Sequence, residues 1–278
     1  TNDLGSDYIS NSIDDVLTDN SLAFTKIVGQ NMGSLKLPSG DWVGSITNLN
    51  PSRGYWLKLD RPDLGENDNT ITFSFEGYQV DEEYEYDFRE NGQGYNEDLT
   101  EYPYMIGYTC FEQLNIIDAI PSQYHNNINM FIGEGVASTR LPSGEWVGSL
   151  SNLEPFKGYW MKSSGIDKFN FECGQSEVRT SDALNYTKPM DEISFTQSTQ
   201  QSFYFIEDVK VLNESINVTG NEWIVSYCND EIVGSRQWLG EVIDIPAMGY
   251  DGSENTSNYC LDGDIPEFKL YDSSTGIY

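Results

Sequence analysis

The feature that most constrains this 278-residue chain is an internal duplication. At a constant offset of 104, residues 37–58 (LPSGDWVGSITNLNPSRGYWLK) and 141–162 (LPSGEWVGSLSNLEPFKGYWMK) are identical at 15 of 22 positions. Most remaining differences are conservative, as with Asp41 and Glu145 or Arg53 and Lys157. Upstream, SIDDVL (12–17) matches NIIDAI (115–120) at an offset of 103; downstream, TFSFEG (72–77) matches KFNFEC (168–173). Each copy therefore runs for at least about seventy residues, and the chain is modular.

Within a copy, Ser12 with Asp15 and Asn115 with Asp118 have the cap-x-x-acid spacing of a helix start, with apolar positions for only about two turns. Pro38-Ser39-Gly40 and Pro142-Ser143-Gly144 predict hairpin turns, because proline presets φ and glycine admits positive φ. The stretches WVGS, GYWLKL or GYWMK, and ITFSF or KFNF are short, aromatic and β-branched, as strands require. The last hundred residues do not repeat. There Trp223, Val225 and Tyr227 alternate with Ile224, Ser226 and Cys228, the period-two pattern of a strand, and Asn229-Asp230 supplies a turn. The expected fold is mainly β: two duplicated small α+β modules, each an antiparallel sheet with one short helix, followed by a β-sandwich-like domain. The expected boundaries are 1–80, 102–178 and 179–278. Between the copies, residues 81–101 carry nine acids against one base, Arg89. That segment reads either as a solvated spacer or, through Tyr84-Glu85-Tyr86-Asp87-Phe88, as a strand with its aromatics packed on one side.

Charge narrows the partners. Forty-five acids against 15 bases leave a formal net charge of −30, which repels nucleic acid and anionic lipid alike. No apolar run approaches the roughly 18 residues needed to cross a bilayer, so membrane insertion is not expected. Thr1 begins without a signal-peptide pattern, and a soluble, processed or excised piece is expected. Eighteen Tyr, 13 Phe and 6 Trp supply ample apolar surface for packed cores despite the acidity.

No catalytic constellation assembles. His125 is the only histidine, which removes Ser-His-Asp, Cys-His and multi-histidine zinc sites, and no GxSxG, P-loop or GxGxxG string occurs. With 45 acids, carboxylate pairs are inevitable and do not indicate glycoside hydrolysis. The expectation is a protein that is not an enzyme. Calcium is the cofactor the acids would suit: Asp251, Glu254 and Asn255, then Asp262 and Asp264, place oxygens within Gly-bearing turns, though the same strings also read as plain Asp-Gly turns. For glycan binding the candidates are Trp56, Trp160, Trp238 and Tyr250, since sugar rings stack on exposed aromatic faces. Repetition of Tyr55-Trp56 and Tyr159-Trp160 equally describes core positions filled twice, and strand alternation allows at most one aromatic of each pair to be exposed.

The strings WVGSLxNLxPxxGYWxK, QSTQQSFYFIEDV, EIVGSRQW, PAMGYDGS and GDIPEFKLYDSSTG resemble modules that recur in tandem in large acidic extracellular or virion-associated proteins of marine bacteria and their phages. The resemblance spans nearly the whole chain. It implies a place outside the cytoplasm, on a virion or cell surface, in a fibre, tail, coat or surface appendage. The implied partners are further copies or other structural proteins, with a cell-surface glycan as a further candidate. The first copy departs from the pattern in residues 1–7, which lack the apolar run of Tyr104-Met105-Ile106 in the second. Of three possible cysteine connectivities, only Cys110–Cys173 with Cys228–Cys260 keeps both bridges within a domain; four buried thiols are the other reading. The role expected is an extracellular structural or adhesion protein, the alternative a carbohydrate-binding module of a secreted protein.

Overall fold

The computed structural model describes residues 11–17, 24–50, 53–59, 85–88, 102–173, 189–211 and 214–278. The duplicated sequence builds the same antiparallel core twice. In the first copy α1 (Ile13–Val16) precedes β1 (Phe24–Gly29), β2 (Met32–Lys36), β3 (Trp42–Gly44) and β4 (Trp56–Leu59), in sheet order β3-β2-β1-β4. After β5 (Tyr86–Asp87), the second copy contains β6 (Tyr102–Gly107), β7 (Leu114–Asn115), α2 (Ile116–Ala119), β8 (Ile128–Ile132), β9 (Ala137–Arg140), β10 (Trp146–Gly148), β11 (Asn152–Leu153), β12 (Gly158–Ser163) and β13 (Lys168–Phe169). Its main sheet runs β10-β9-β8-β12-β6, the same order with one more strand. Register is preserved as well: Ile27 faces Leu57 as Phe131 faces Met161, and Leu35 faces Val43 as Thr139 faces Val147.

Local chemistry explains the shared elements. Ser12 Oγ accepts from Asp15 N at 3.1 Å, while Asn115 Oδ1 reaches only as far as Ile117 N at 3.0 Å. Each helix is four residues long, nearer one turn than two. In both PSG turns the leucine amide donates across the hairpin, Leu37 N to Asp41 O and Leu141 N to Glu145 O, at 2.9 and 2.8 Å. Gly40 and Gly144 sit at φ +96° and +94°, where a side chain would be strained.

The acidic segment is not wholly a spacer. Over Tyr86–Asp87 it is strand β5, paired with β13 of the second copy. Tyr86 and Phe88 turn inward, buried, with Phe88 stacked on Tyr104 at 3.9 Å between ring centroids. Glu85 and Asp87 turn outward to Lys168. Alternation resolves the mixed composition by sending aromatics to the core and carboxylates to water. The rest of residues 81–101, the TFSFEG match at 72–77 and residues 1–7 lie outside the described residues.

The C-terminal part stacks two sheets. β14 (Gln201–Ile206) pairs with β19 (Ile243–Met248), and β18 (Glu231–Gln237), β17 (Glu222–Cys228) and β20 (Glu267–Asp272) form the other sheet; β15 (Lys210–Val211) and β16 (Glu214–Ser215) make a small ribbon. The β17–β18 hairpin turns through Asn229 and Asp230, both at positive φ, as the sequence predicts. Ile224, Trp238 and Ile245 fill one side of β17, and Ile193, Val225 and Tyr271 the other. The sheets touch at Gly234, where a Cβ would meet Pro246 O, and Ser226 Oγ donates to Pro246 O at 2.7 Å.

Both expected disulfides are present. Cys110–Cys173 and Cys228–Cys260 each span 5.3 Å between Cα atoms. They are compatible with an oxidising, extracellular compartment. No helix among the described residues is long and apolar enough to cross a membrane.

Candidate functional site

In each copy the tyrosine of GYW is a clamp. Tyr55 Oη accepts from Asn50 N and Tyr159 Oη accepts from Glu154 N, each at 2.9 Å, tying the Asn-Leu-x-Pro turn to the strand that follows. Burial pushes the Tyr159 hydroxyl up to about 12, so it stays protonated at neutral pH. The spacing from Asn50 to Tyr55, repeated from Glu154 to Tyr159, is therefore a structural requirement of the module.

The modules then close on one another. Gln30, at the end of β1, presents its amide to the outer edge of β6: Nε2 donates to Pro103 O at 2.9 Å and Oε1 accepts from Met105 N at 3.0 Å. A side-chain amide thus occupies the place of a neighbouring peptide group. Arg53 bridges Ile106 on the same edge, and Gly54 N donates to Met105 O. The two equivalent glycines meet here: a Cβ on Gly158 would lie 2.6 Å from Gly54 Cα.

The corresponding turn of the second copy is covered by the C-terminal domain. Gln201 Nε2 donates to Gly133 O at 3.2 Å, and Gln197 lies against Gly135. A buried ion pair fixes this contact. Asp244 on β19 accepts from Ala137 N, Ser149 N and Ser149 Oγ, and meets Arg236 Nη2 at 2.8 Å, with side-chain exposures of 0% and 5%. Arg236 also donates to Gly135 O at 2.8 Å. Burial pushes the Asp244 carboxyl above its ordinary value against the pull of Arg236 and Ser149. Sequence reading passed over this pair, although a charged residue inside the apolar runs EIVGSRQ and IDIPAM is the signal that marks it.

Asp251 joins the C-terminal domain to the first module. It meets Lys58 Nζ at 3.2 Å, and its Oδ1 accepts from Ser253 N, Ser253 Oγ and Thr256 Oγ1. Burial opposes its ionisation, but these hydrogen bonds and Lys58 outweigh it and hold the carboxyl well below the usual range. At the turn where calcium ligands were expected, the oxygens of Asp251 engage Lys58 and the turn's own Ser253 and Thr256. Glu254 and Asn255 are exposed on the adjoining 3-10 turn, Asp262 is exposed, and Asp264 Oδ2 accepts from Leu261 N at 2.8 Å. Among the described residues no group of three potential metal ligands comes together.

The glycan candidates separate. Trp238, 2% exposed, belongs to the core with Ile224 and Ile245 and offers no face to a sugar, because its apolar ring fills the interior beside β17. Trp160 is half-buried on β12, with Tyr159 and Met161 buried on the other side, as alternation requires. Tyr250 is exposed beside the Asp251 turn. Trp56 lines a cleft of about 560 Å³ where all three units meet. Also around it are Gln113, Glu134, Asn152, Phe156 and Gln197. Phe156 was not anticipated; its signal is that an aromatic stands where the first copy has Ser52. His125 lies outside the cleft, its Nε2 donating to Ile120 O at 2.8 Å at the end of α2.

Fold and contacts together define a disulfide-bonded, mainly β protein of packed modules. No family model, curated protein or solved structure matches the chain, so its reading rests on its own geometry.

Proposed function

We propose that the chain is a segment of an extracellular structural or adhesive assembly, in a virion fibre or decoration or a bacterial surface appendage, and that it acts by docking and not by catalysis. The observation that carries the reading is a difference between the copies. At the end of hairpin β9–β10, Ala137 and Ser149 are covered by Asp244 of the C-terminal domain. Among the described residues the equivalent Gly33 and Ser45 at the end of hairpin β2–β3 bond to each other, and the hairpin beside them exposes Leu35 (54%), Leu37 (44%) and Val43 (56%). Leu35 and Val43 are register partners on one face, and β3 is a sheet edge.

An apolar face on a sheet edge is an association surface, and a second copy of this chain is its occupant. Edge-to-edge pairing of β3 with β3 of a second copy is self-complementary and joins both leucine–valine faces into one continuous apolar surface. Charge supports the extracellular setting: −30 per chain opposes association in dilute buffer and is screened in salt water over roughly 8 Å or less. The carbohydrate-binding reading draws on a different surface, the three-way cleft, and both are compatible in one molecule. Sedimentation velocity at marine ionic strength tests the assembly. Wild type should self-associate increasingly with salt and Leu35→Lys/Val43→Lys should remain monomeric; a wild type that stays monomeric at high concentration contradicts the reading.

A further inference from the structure

We infer that the cleft between the three units is a binding site for a short neutral oligosaccharide, with Phe156 and Trp56 as its stacking surfaces. Phe156 is 93% exposed and adopts φ +63°, a backbone conformation unfavourable for a bulky L-residue. The turn that Lys157 N closes on Glu154 O at 3.3 Å sets that φ and would suit glycine better, and the first copy's sequence has Ser52 at the equivalent place, so the turn does not call for an aromatic ring there. An aromatic ring held in solvent at a conformational cost is explained by a ligand that covers it.

The rest of the lining fits a sugar. Trp56 is half-buried on β4 of the first module, and Gln113, Asn152 and Gln197 bring amide donors and acceptors from the second module and the C-terminal domain. Apolar ring faces beside amides match the C–H face and the hydroxyl edge of a pyranose. A volume of about 560 Å³ falls in the range of small-molecule clefts.

Charge selects the class. Glu134 and Glu154 stand at the cleft, and among the described lining residues the one cation, Lys157, is paired with Glu154 at 2.8 Å. Sulfated and uronate glycans are therefore repelled, by the cleft and by the net charge together. The site uses residues from all three units, which gives the inter-unit contacts a consequence for binding: a chain whose units separate loses it.

The test is a glycan array probed with the full chain, holding neutral gluco-, manno- and galacto-oligosaccharides beside sulfated and uronate ones. Titration of the best neutral hit would follow, read by tryptophan fluorescence. Neutral hits are expected, with Phe156→Gly and Trp56→Ala each weakening binding about tenfold or more. Phe156→Gly should melt at the wild-type temperature or above it, because the ring is almost wholly exposed and glycine suits the backbone, so lost binding cannot be ascribed to misfolding. An array without neutral hits, hits confined to anionic glycans, or full affinity in Phe156→Gly overturns the site. None of these outcomes bears on self-association through β3, whose variants Leu35→Lys/Val43→Lys should bind the glycan as wild type does.

Discussion

The two copies carry matching 22-residue strings and the same strand register, yet among the described residues the second has the larger core. The second has a five-stranded main sheet, a disulfide and a continuous aromatic core around Tyr104, Phe131, Tyr159 and Phe169. Among its described residues the first has four strands and a core of Ile13, Leu17, Phe24, Ile27 and Ile46. Its hairpin is open where its sister's is covered. Duplication therefore preserved what a module needs to form, the PSG hairpin and the tyrosine clamp, and left the neighbours to differ. What differs is where function is to be sought.

The largest effect should come from the contact that the first copy lacks. Asp244→Ala leaves Arg236 buried without its carboxylate and should cost about 3–5 kcal/mol, measured by denaturant unfolding. If Asp244→Ala melts like wild type, the C-terminal domain is not fixed to the second module in this way. Next is the disulfide. Cys110→Ala/Cys173→Ala opens a loop of 63 residues and should destabilise by about 4 kcal/mol in the chain-entropy model, with a loss confined to the second module by hydrogen exchange. Uniform loss of protection across both copies would mean that they unfold as one unit.

Smaller effects probe what the copies share. Tyr55→Phe and Tyr159→Phe each delete one acceptor for a turn amide and should each cost about 1 kcal/mol. Unequal costs would show that burial matters more than the bond, since Tyr159 is buried and Tyr55 only half so. The smallest effect is a pH dependence. Asp251 is held ionised below its ordinary 3.8, so its contribution is present in full above that value and fades as pH falls towards the depressed folded value. Melting temperature between about pH 5 and pH 2 should therefore drop less steeply in Asp251→Asn than in wild type. Equal slopes would mean that Ser253, Thr256 and Lys58 do not hold the Asp251 carboxylate ionised in the folded protein.

Much of this was legible because it is local. The PSG turns need positive φ at a fixed place, period-two alternation marks β17, and cysteine positions within domains select the two bridges. The residues that were not legible act across units. Gln30, Gly54, Arg236 and Asp244 have their meaning in contacts with distant backbone, which spacing along the chain does not encode. Asp251 was not legible for a related reason: the lysine that meets it belongs to another module, and a carboxylate in a Gly-bearing turn carries no sign of that partner in sequence. Trp238 misled because its Ser-Arg-Gln-Trp setting looks exposed, whereas Arg236 and Trp238 both turn inward beside β19.

The central claim is that the open hairpin of the first module is where copies meet. Its most direct test is the mass of the full chain in solution by sedimentation velocity at marine ionic strength, wild type against Leu35→Lys/Val43→Lys. A salt-dependent oligomer that collapses to monomer in the variant is the predicted result. A wild type that remains monomeric, or a variant that assembles as wild type does, would contradict it.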